Sequence, residues 1–217
     1  EQCGDEPVQF KNKFPEAFVA VDEQRALGIA HILMDAEDTE VILLDDAFQH
    51  RKVKAGFYIL LTSYGDLYSD DFMLPTGNLR ESKSGAKRAN VVIVTKCPST
   101  LSLDEQNKIK NQLQLDSNQE LYFSYIDYDD SVYSEEKSMK VSEIKNMDKL
   151  LLAGIAKPEP FFNYLESKND DKLVFPDHHH FTENDLLEIK NKAQNKIIIT
   201  TEKDYVRLKD KLHNEQL

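Results

Sequence analysis

The chain has 217 residues, 40% of them hydrophobic and 30% charged, with a formal net charge of -12. That length and apolar content can bury a core in one large α/β domain or two smaller ones, which excludes a disordered chain. The acidic balance excludes sequence-independent nucleic-acid binding, which needs a basic face, but leaves anionic substrates open, because salt confines fields to about 8 Å.

In chain order, Gly4-Asp5-Glu6-Pro7 opens a helix expected over Glu6 to Phe14, with Asp5 suited to cap it and Pro favoured in the first turn. Phe18 to Val21 is the first candidate strand, Arg25 to Asp35 a helix and Val41 to Leu44 a second strand. Phe57 to Leu61 and Val91 to Thr95 follow as strands, then a helix over Asp104 to Leu115 and a strand over Leu121 to Ile126. From Asp116 to Asp148 the pattern loosens into a β-ribbon and charged linker. Beyond it lie strands at Leu150 to Ala153, Leu173 to Phe175 and Lys196 to Thr200, with a helix over Glu183 to Gln194 announced by a capping box, Thr182 with Asp185. Strands apolar on both faces, alternating with helices, predict an α/β fold with a mostly parallel sheet flanked by helices. The expected domains are a core over 1–117, a β-ribbon linker over 118–148 and a smaller C-terminal α/β domain over 149–217.

Two cysteines, Cys3 and Cys97, give neither a disulfide framework nor a zinc spacing and fit a reducing compartment. No apolar run approaches the roughly eighteen residues of a spanning helix, so this piece is expected to be soluble. A start without Met is expected of a fragment of a longer protein.

Val41-Ile42-Leu43-Leu44-Asp45-Asp46 has the form of an apolar strand carrying acids to the C-terminal edge of a sheet, where ligands bind. Mg²⁺ takes oxygen ligands and keeps several waters, so one or two carboxylates can hold it against a nucleotide's phosphates. An Asp pair that merely ends a strand and caps the next turn is the competing reading.

The run Leu44-Asp45-Asp46-Ala47-Phe48-Gln49-His50-Arg51 resembles the DDGFQHR signature of the tetraacyldisaccharide 4'-kinase (lipid A 4'-kinase) family. Leu74-Pro75-Thr76-Gly77-Asn78-Leu79-Arg80-Glu81 is similar to its LPAGPLRE, and Gly4-Asp5-Glu6-Pro7 to its GDEP. Arg25 sits where the family has an Arg, Asp177-His178 resembles its DH element, and Thr201-Glu202-Lys203-Asp204 its TEKD. Ala47 stands in place of Gly, and Thr76 and Asn78 in place of Ala and Pro.

The resemblance implies a P-loop NTPase-like core that transfers the γ-phosphoryl group of ATP to the 4'-hydroxyl of a tetraacyldisaccharide 1-phosphate, a lipid A disaccharide precursor. It implies that Asp46 and Glu81 contact Mg²⁺, with Asp45 supporting the metal's waters. Arg25, Gln49, His50 and Arg80 are implied as substrate and phosphate contacts, and Asp5 with His178 as the proton-accepting dyad. Asp177, Thr201, Glu202, Lys203 and Asp204 are further candidate contacts, with helix capping as the competing role for the last four. The family works at the cytoplasmic face of the bacterial inner membrane as a peripheral enzyme. The basic residues Arg80, Lys83, Lys87 and Arg88, interleaved with one acid, Glu81, form a patch suited to a phosphorylated glycolipid or anionic membrane, or else a solvated loop face.

No G-x-x-x-x-G-K-[ST] occurs in the chain, so by itself it is expected to be inactive, and its parent is expected to encode that loop upstream of Gly4. Two other classes compete: a catalytically silent nucleotide-fold binding module, and a metal-dependent phosphohydrolase. The second usually spaces its acids Asp-x-Asp, unlike Asp45-Asp46.

Overall fold

A computed structural model describes residues 4–135, 137–177 and 179–212, the Asp5 side chain excepted. The chain divides into two compact units, Asp22–Asp127 and the combination of Glu1–Val21 with Tyr128–Leu217. Sequence spacing had suggested a break near residue 117, with the N-terminus in the first block. The difference arises because the N-terminal helix α1 (Asp5–Lys13) packs on the helix Glu202–Leu208. Gly4, not Asp5, occupies the N-cap of α1, so Asp5 is its first helical residue.

Within Asp22–Asp127, α2 (Arg25–Asp35) is followed by β1 (Ile59–Ser63), β2 (Val91–Thr95), α3 (Leu103–Leu113) and β3 (Glu120–Phe123). The strands form a parallel sheet in the order β1-β2-β3, with Ile59 opposite Val91 and Val91 opposite Glu120. Val92 and Val94 of the central strand are fully buried and share a core with Cys97, Ile109 and Leu113. Burial pushes the Cys97 thiol up, as expected of an inert structural cysteine. Helix α3 starts at a reciprocal capping box: Glu105 N–H donates to Ser102 Oγ (3.3 Å), and Ser102 N–H to Glu105 Oε2 (3.1 Å).

Two expected strands are absent. Val41 to Leu44 and Phe18 to Val21 pair with no strand among the described residues. Val41 is 73% and Leu43 89% exposed, so the first run lacks both the backbone partners and the covering layer that a buried strand requires.

In the other unit, the ribbon expected from sequence is the antiparallel pair β4 (Ser131–Tyr133) and β5 (Ser138–Lys140), followed by a short α4 (Val141–Ile144). Then come β6 (Lys149–Ala153), α5 (Glu159–Leu165), β7 (Asp171–Val174), α6 (Glu183–Ala193), β8 (Ile197–Ile199) and α7 (Glu202–Leu208). The sheet is parallel in the order β7-β6-β8, and every residue of β6 is buried. Side-chain alternation sends Leu150 and Leu152 into one core with Leu173, Leu186 and Ile189, and Leu151 and Ala153 into another with Phe161, Phe162 and Leu165. Each fully buried leucine contributes about 1.5–3 kcal/mol, which is why β6 reads as a continuous apolar run. No helix among the described residues is long and apolar enough to cross a membrane.

Candidate active site

Asp45 and Asp46 lie on an exposed turn, with Asp46 in the left-handed region at φ 43°. Asp is one of the few non-glycine residues that enter this region readily, and the conformation turns the chain sharply just where an acid pair is presented. His50 N–H donates to the Ala47 carbonyl at 2.8 Å and closes the following turn. Gln49 is exposed and His50 half-buried. The half-buried Phe48 ring meets Tyr58 edge-on, with centroids 6.0 Å apart.

Glu81 follows a tight loop in which Leu74 N–H donates to the Leu79 carbonyl and Leu79 N–H to the Phe72 carbonyl, both at 3.0 Å. Asp71 holds the same loop by accepting from Phe72 N–H (2.7 Å) and Asn78 N–H (3.1 Å). Arg80 is exposed. Glu81 is gripped by Arg88, whose Nη1 donates to Oε2 at 3.0 Å and Nη2 to Oε1 at 2.5 Å. Nη2 also donates to the Phe48 carbonyl at 3.1 Å, and the guanidinium carbon lies 4.8 Å from the Phe48 ring centre. The hydrogen bond to Glu81 pushes the Arg88 guanidinium pKa up further. Arg25 opens α2, half-buried, with Nη1 donating to the Asp22 carbonyl at 2.9 Å.

Among the described residues, no group of three or more His, Cys, Asp or Glu side chains converges to hold a metal ion. Asp45, Asp46 and Glu81 therefore do not form an all-protein cage. Mg²⁺ does not need one, since it is usually held by one or two carboxylates with waters and substrate phosphates. The carboxylate oxygens of Asp45, Asp46 and Glu81 suit a hard cation such as Mg²⁺.

The remaining candidates lie in the unit that holds α1 and α7. Glu202 accepts from Gln9 Nε2 at 3.0 Å and pairs with Lys13 at 3.2 Å, so it joins α7 to α1. Thr201 caps α7 by accepting from Asp204 N–H at 3.3 Å. Asp204 is fully buried, and its Oδ2 accepts from Gly154 N–H and from Thr201 Oγ1, both at 2.8 Å. Gly154 leaves no space there, because a Cβ would stand 2.8 Å from Asp204 Oδ1. Lys203 pairs with Asp177 at 3.2 Å, tying the Asp177 loop to α7.

Beyond that loop, His179 stacks on Phe175 (centroids 4.9 Å apart) and its Nε2 hydrogen-bonds Asp185 Oδ2 at 2.9 Å. Thr182 N–H and Oγ1 also donate to that oxygen, both at 2.7 Å, and the three donors, the backbone amide foremost, lower the Asp185 pKa to about 2. His178 and the Asp5 side chain fall outside the described residues.

Sequence reasoning placed Arg88 only in a basic patch and overlooked its grip on Glu81. The two residues are seven apart across a 3-10 turn, a spacing with no sequence signature.

The family described as tetraacyldisaccharide-1-P 4'-kinase matches residues 1–217. A tetraacyldisaccharide 4'-kinase of Flavobacterium johnsoniae is 62% identical over 210 residues, spanning 97% of this chain and 62% of the relative. One of Flavobacterium psychrophilum is 61% identical, spanning 100% and 64%, and one of Bacteroides thetaiotaomicron 45% identical, spanning 94% and 59%. This chain thus spans less than two thirds of these relatives' length. A crystal structure of LpxK from Aquifex aeolicus in complex with ATP superposes with a TM-score of 0.70 at 24% identity, covering 97% of this chain and 61% of the other. That likeness shows a shared fold, here with mostly parallel sheets flanked by helices.

Proposed function

This chain belongs to the tetraacyldisaccharide-1-P 4'-kinase family, and on that premise we propose that the whole protein transfers the γ-phosphoryl group of ATP to the 4'-hydroxyl of a tetraacyldisaccharide 1-phosphate. The observation that carries this reading is the family match over the full 217 residues. The exposed Asp45-Asp46 turn supports it, because it presents carboxylate oxygens without a competing soft ligand.

Asp46 and Glu81 are the residues proposed to hold Mg²⁺, with Asp45 orienting its waters. When bound, the ion supplies charge neutralisation at the β- and γ-phosphates. Arg25 and Arg80 contact phosphate oxygens, where a planar fork of donors recognises an anion better than a point charge does. Gln49 and His50 orient the substrate from the same turn. The 4'-hydroxyl oxygen bonds to the γ-phosphorus, the bond to the β–γ bridging oxygen breaks, and ADP leaves. The hydroxyl proton passes to the Asp5–His178 dyad. Asp177, Thr201, Glu202, Lys203 and Asp204 are further candidate contacts, of which Thr201 also caps α7. The enzyme works as a peripheral protein at the cytoplasmic face of the bacterial inner membrane, where its lipid acceptor resides.

The test uses the whole protein with Mg²⁺, γ-labelled ATP and the disaccharide 1-phosphate. Label should enter the lipid, with one ADP formed for each lipid phosphorylated. ATP binding without turnover would instead mark a silent module, and release of free phosphate from a phospho-aspartate would mark a hydrolase.

A further inference from the structure

We propose that Arg88 is a positioning residue for phosphoryl transfer, bracing the Glu81 carboxylate and the backbone of the Asp45-Asp46 turn into one platform. The inference rests on the phosphoryl-transfer reading above. Arg88 reaches both sides at once: two donors grip Glu81 at 3.0 and 2.5 Å, and a third reaches the carbonyl of Phe48, two residues beyond Asp46. The Phe48 ring covers the guanidinium and is itself backed edge-on by Tyr58. The fork therefore has a face contact as well as its edge contacts, and only a planar guanidinium can make both sets.

Gly85 gives independent evidence that the fork is built into the fold. A Cβ there would stand 2.6 Å from Glu81 Cδ, 2.7 Å from Glu81 Oε2 and 3.0 Å from Arg88 Nη1. The 3-10 turn from Lys83 to Arg88 thus passes directly beneath the ion pair, and glycine is the residue that leaves the pair its room. Glu81 and Arg88 are each about a quarter exposed, so solvent does not dissolve the pairing. Each carboxylate oxygen engaged by one guanidinium hydrogen keeps a second lone pair, so Glu81 can be oriented by Arg88 and still face a cation. Without the fork, Glu81 regains its rotamers and the turn loses its link to the Leu79–Glu81 segment. Misplacement of a reacting group by about 1 Å costs up to roughly 100-fold in rate.

The experiment compares the whole protein with its Arg88→Ala, Arg88→Lys, Gly85→Ala, Glu81→Ala and Arg88→Ala/Glu81→Ala forms. It measures kcat and KM for ATP, Mn²⁺ binding in the presence of ATP by electron paramagnetic resonance, and thermal unfolding. Arg88→Ala should lower kcat about 10- to 100-fold with little change in KM and should weaken Mn²⁺ binding. Arg88→Lys should fail to restore kcat, since an ammonium cannot span the fork. Gly85→Ala keeps both charges yet should lower kcat in the same direction. In the Glu81→Ala background, removing Arg88 should cost little more, because without Glu81 there is no carboxylate left for Arg88 to join to the turn. A merely structural Arg88 would lower kcat by the same factor in both backgrounds. Tighter Mn²⁺ binding in Arg88→Ala would make it a competitor of the metal. Either result, or wild-type kcat in a folded Arg88→Ala, overturns the proposal. Absence of phosphoryl transfer by the wild-type protein would instead overturn the reading on which it rests.

Discussion

Lys149 heads the buried central strand β6, with its side chain 0% exposed and that of its partner Asp170 1% exposed, 2.8 Å apart. Three neutral acceptors share the ammonium's remaining hydrogens: the carbonyls of Ile144 (3.2 Å) and Met147 (3.3 Å) and the Ser167 hydroxyl (3.1 Å). Burial alone would raise the Asp170 carboxyl, but Lys149 and the Ser167 donors outweigh it and hold the group below its ordinary range. The Asp170 carboxyl is therefore ionised in the folded state. Removing one partner strands the other, and Asp170→Ala should cost about 3–5 kcal/mol. Replacing both in Lys149→Met/Asp170→Leu should recover most of that loss, because apolar residues of similar volume substitute for a buried pair at little cost. Urea unfolding of the whole protein, followed by far-UV circular dichroism and tyrosine fluorescence, measures each variant. With a slope of about 1–3 kcal/mol per molar urea, the single variant should shift the transition down by about 1 M or more. A loss below about 1 kcal/mol in Asp170→Ala would refute the reasoning that the pair is a committed buried ion pair. Because the folded pKa of Asp170 is depressed, its stabilisation is present above the unfolded value near 3.9 and is lost as pH falls through the folded one.

The two capping boxes should each cost about 0.5–2 kcal/mol when their hydroxyls are removed, in Ser102→Ala for α3 and Thr182→Ala for α6, with amide exchange rising in the first turn of the affected helix only. Asp185, with its pKa lowered to about 2, stabilises α6 above the unfolded value near 3.9 and loses that effect as pH falls toward 2. An acid-unfolding titration should therefore show a shallower limb in Asp185→Asn. Gly154→Ala should destabilise its unit by roughly 1–3 kcal/mol, because the added methyl meets the buried Asp204 carboxylate, and thermal melting of the whole protein reads the loss.

How much of this was legible in the sequence depended on how local each feature is. Thr182 and Asp185 announced α6 because a capping box is written within four residues. The leucines of β6 announced a buried parallel strand because both of its faces are covered, and the valines of β2 did so although only Val92 and Val94 are fully buried. Val41 to Leu44 carries the same apolar signal but forms no strand, since periodicity reports what a segment prefers to bury and not which partner is there to pair with it. The grouping of α1 with the C-terminal unit was hidden too, because Gln9 and Glu202 meet across 193 positions. At the candidate site, the acids were visible as motifs. The turn at Asp46 and the Arg88 brace were not, since the first depends on a backbone dihedral and the second on a 3-10 turn folding under an ion pair.

The most direct test of the central claim is phosphoryl transfer by the whole protein carrying Asp46→Ala, with Asp5→Ala measured in parallel. Label incorporation into the disaccharide 1-phosphate should fall at least about 100-fold in each, the scale on which loss of a single transition-state contact is felt, while both variants keep their fold by circular dichroism. Wild-type rates in a folded Asp46→Ala protein would contradict the assignment of the Asp45-Asp46 turn as the phosphoryl-transfer site.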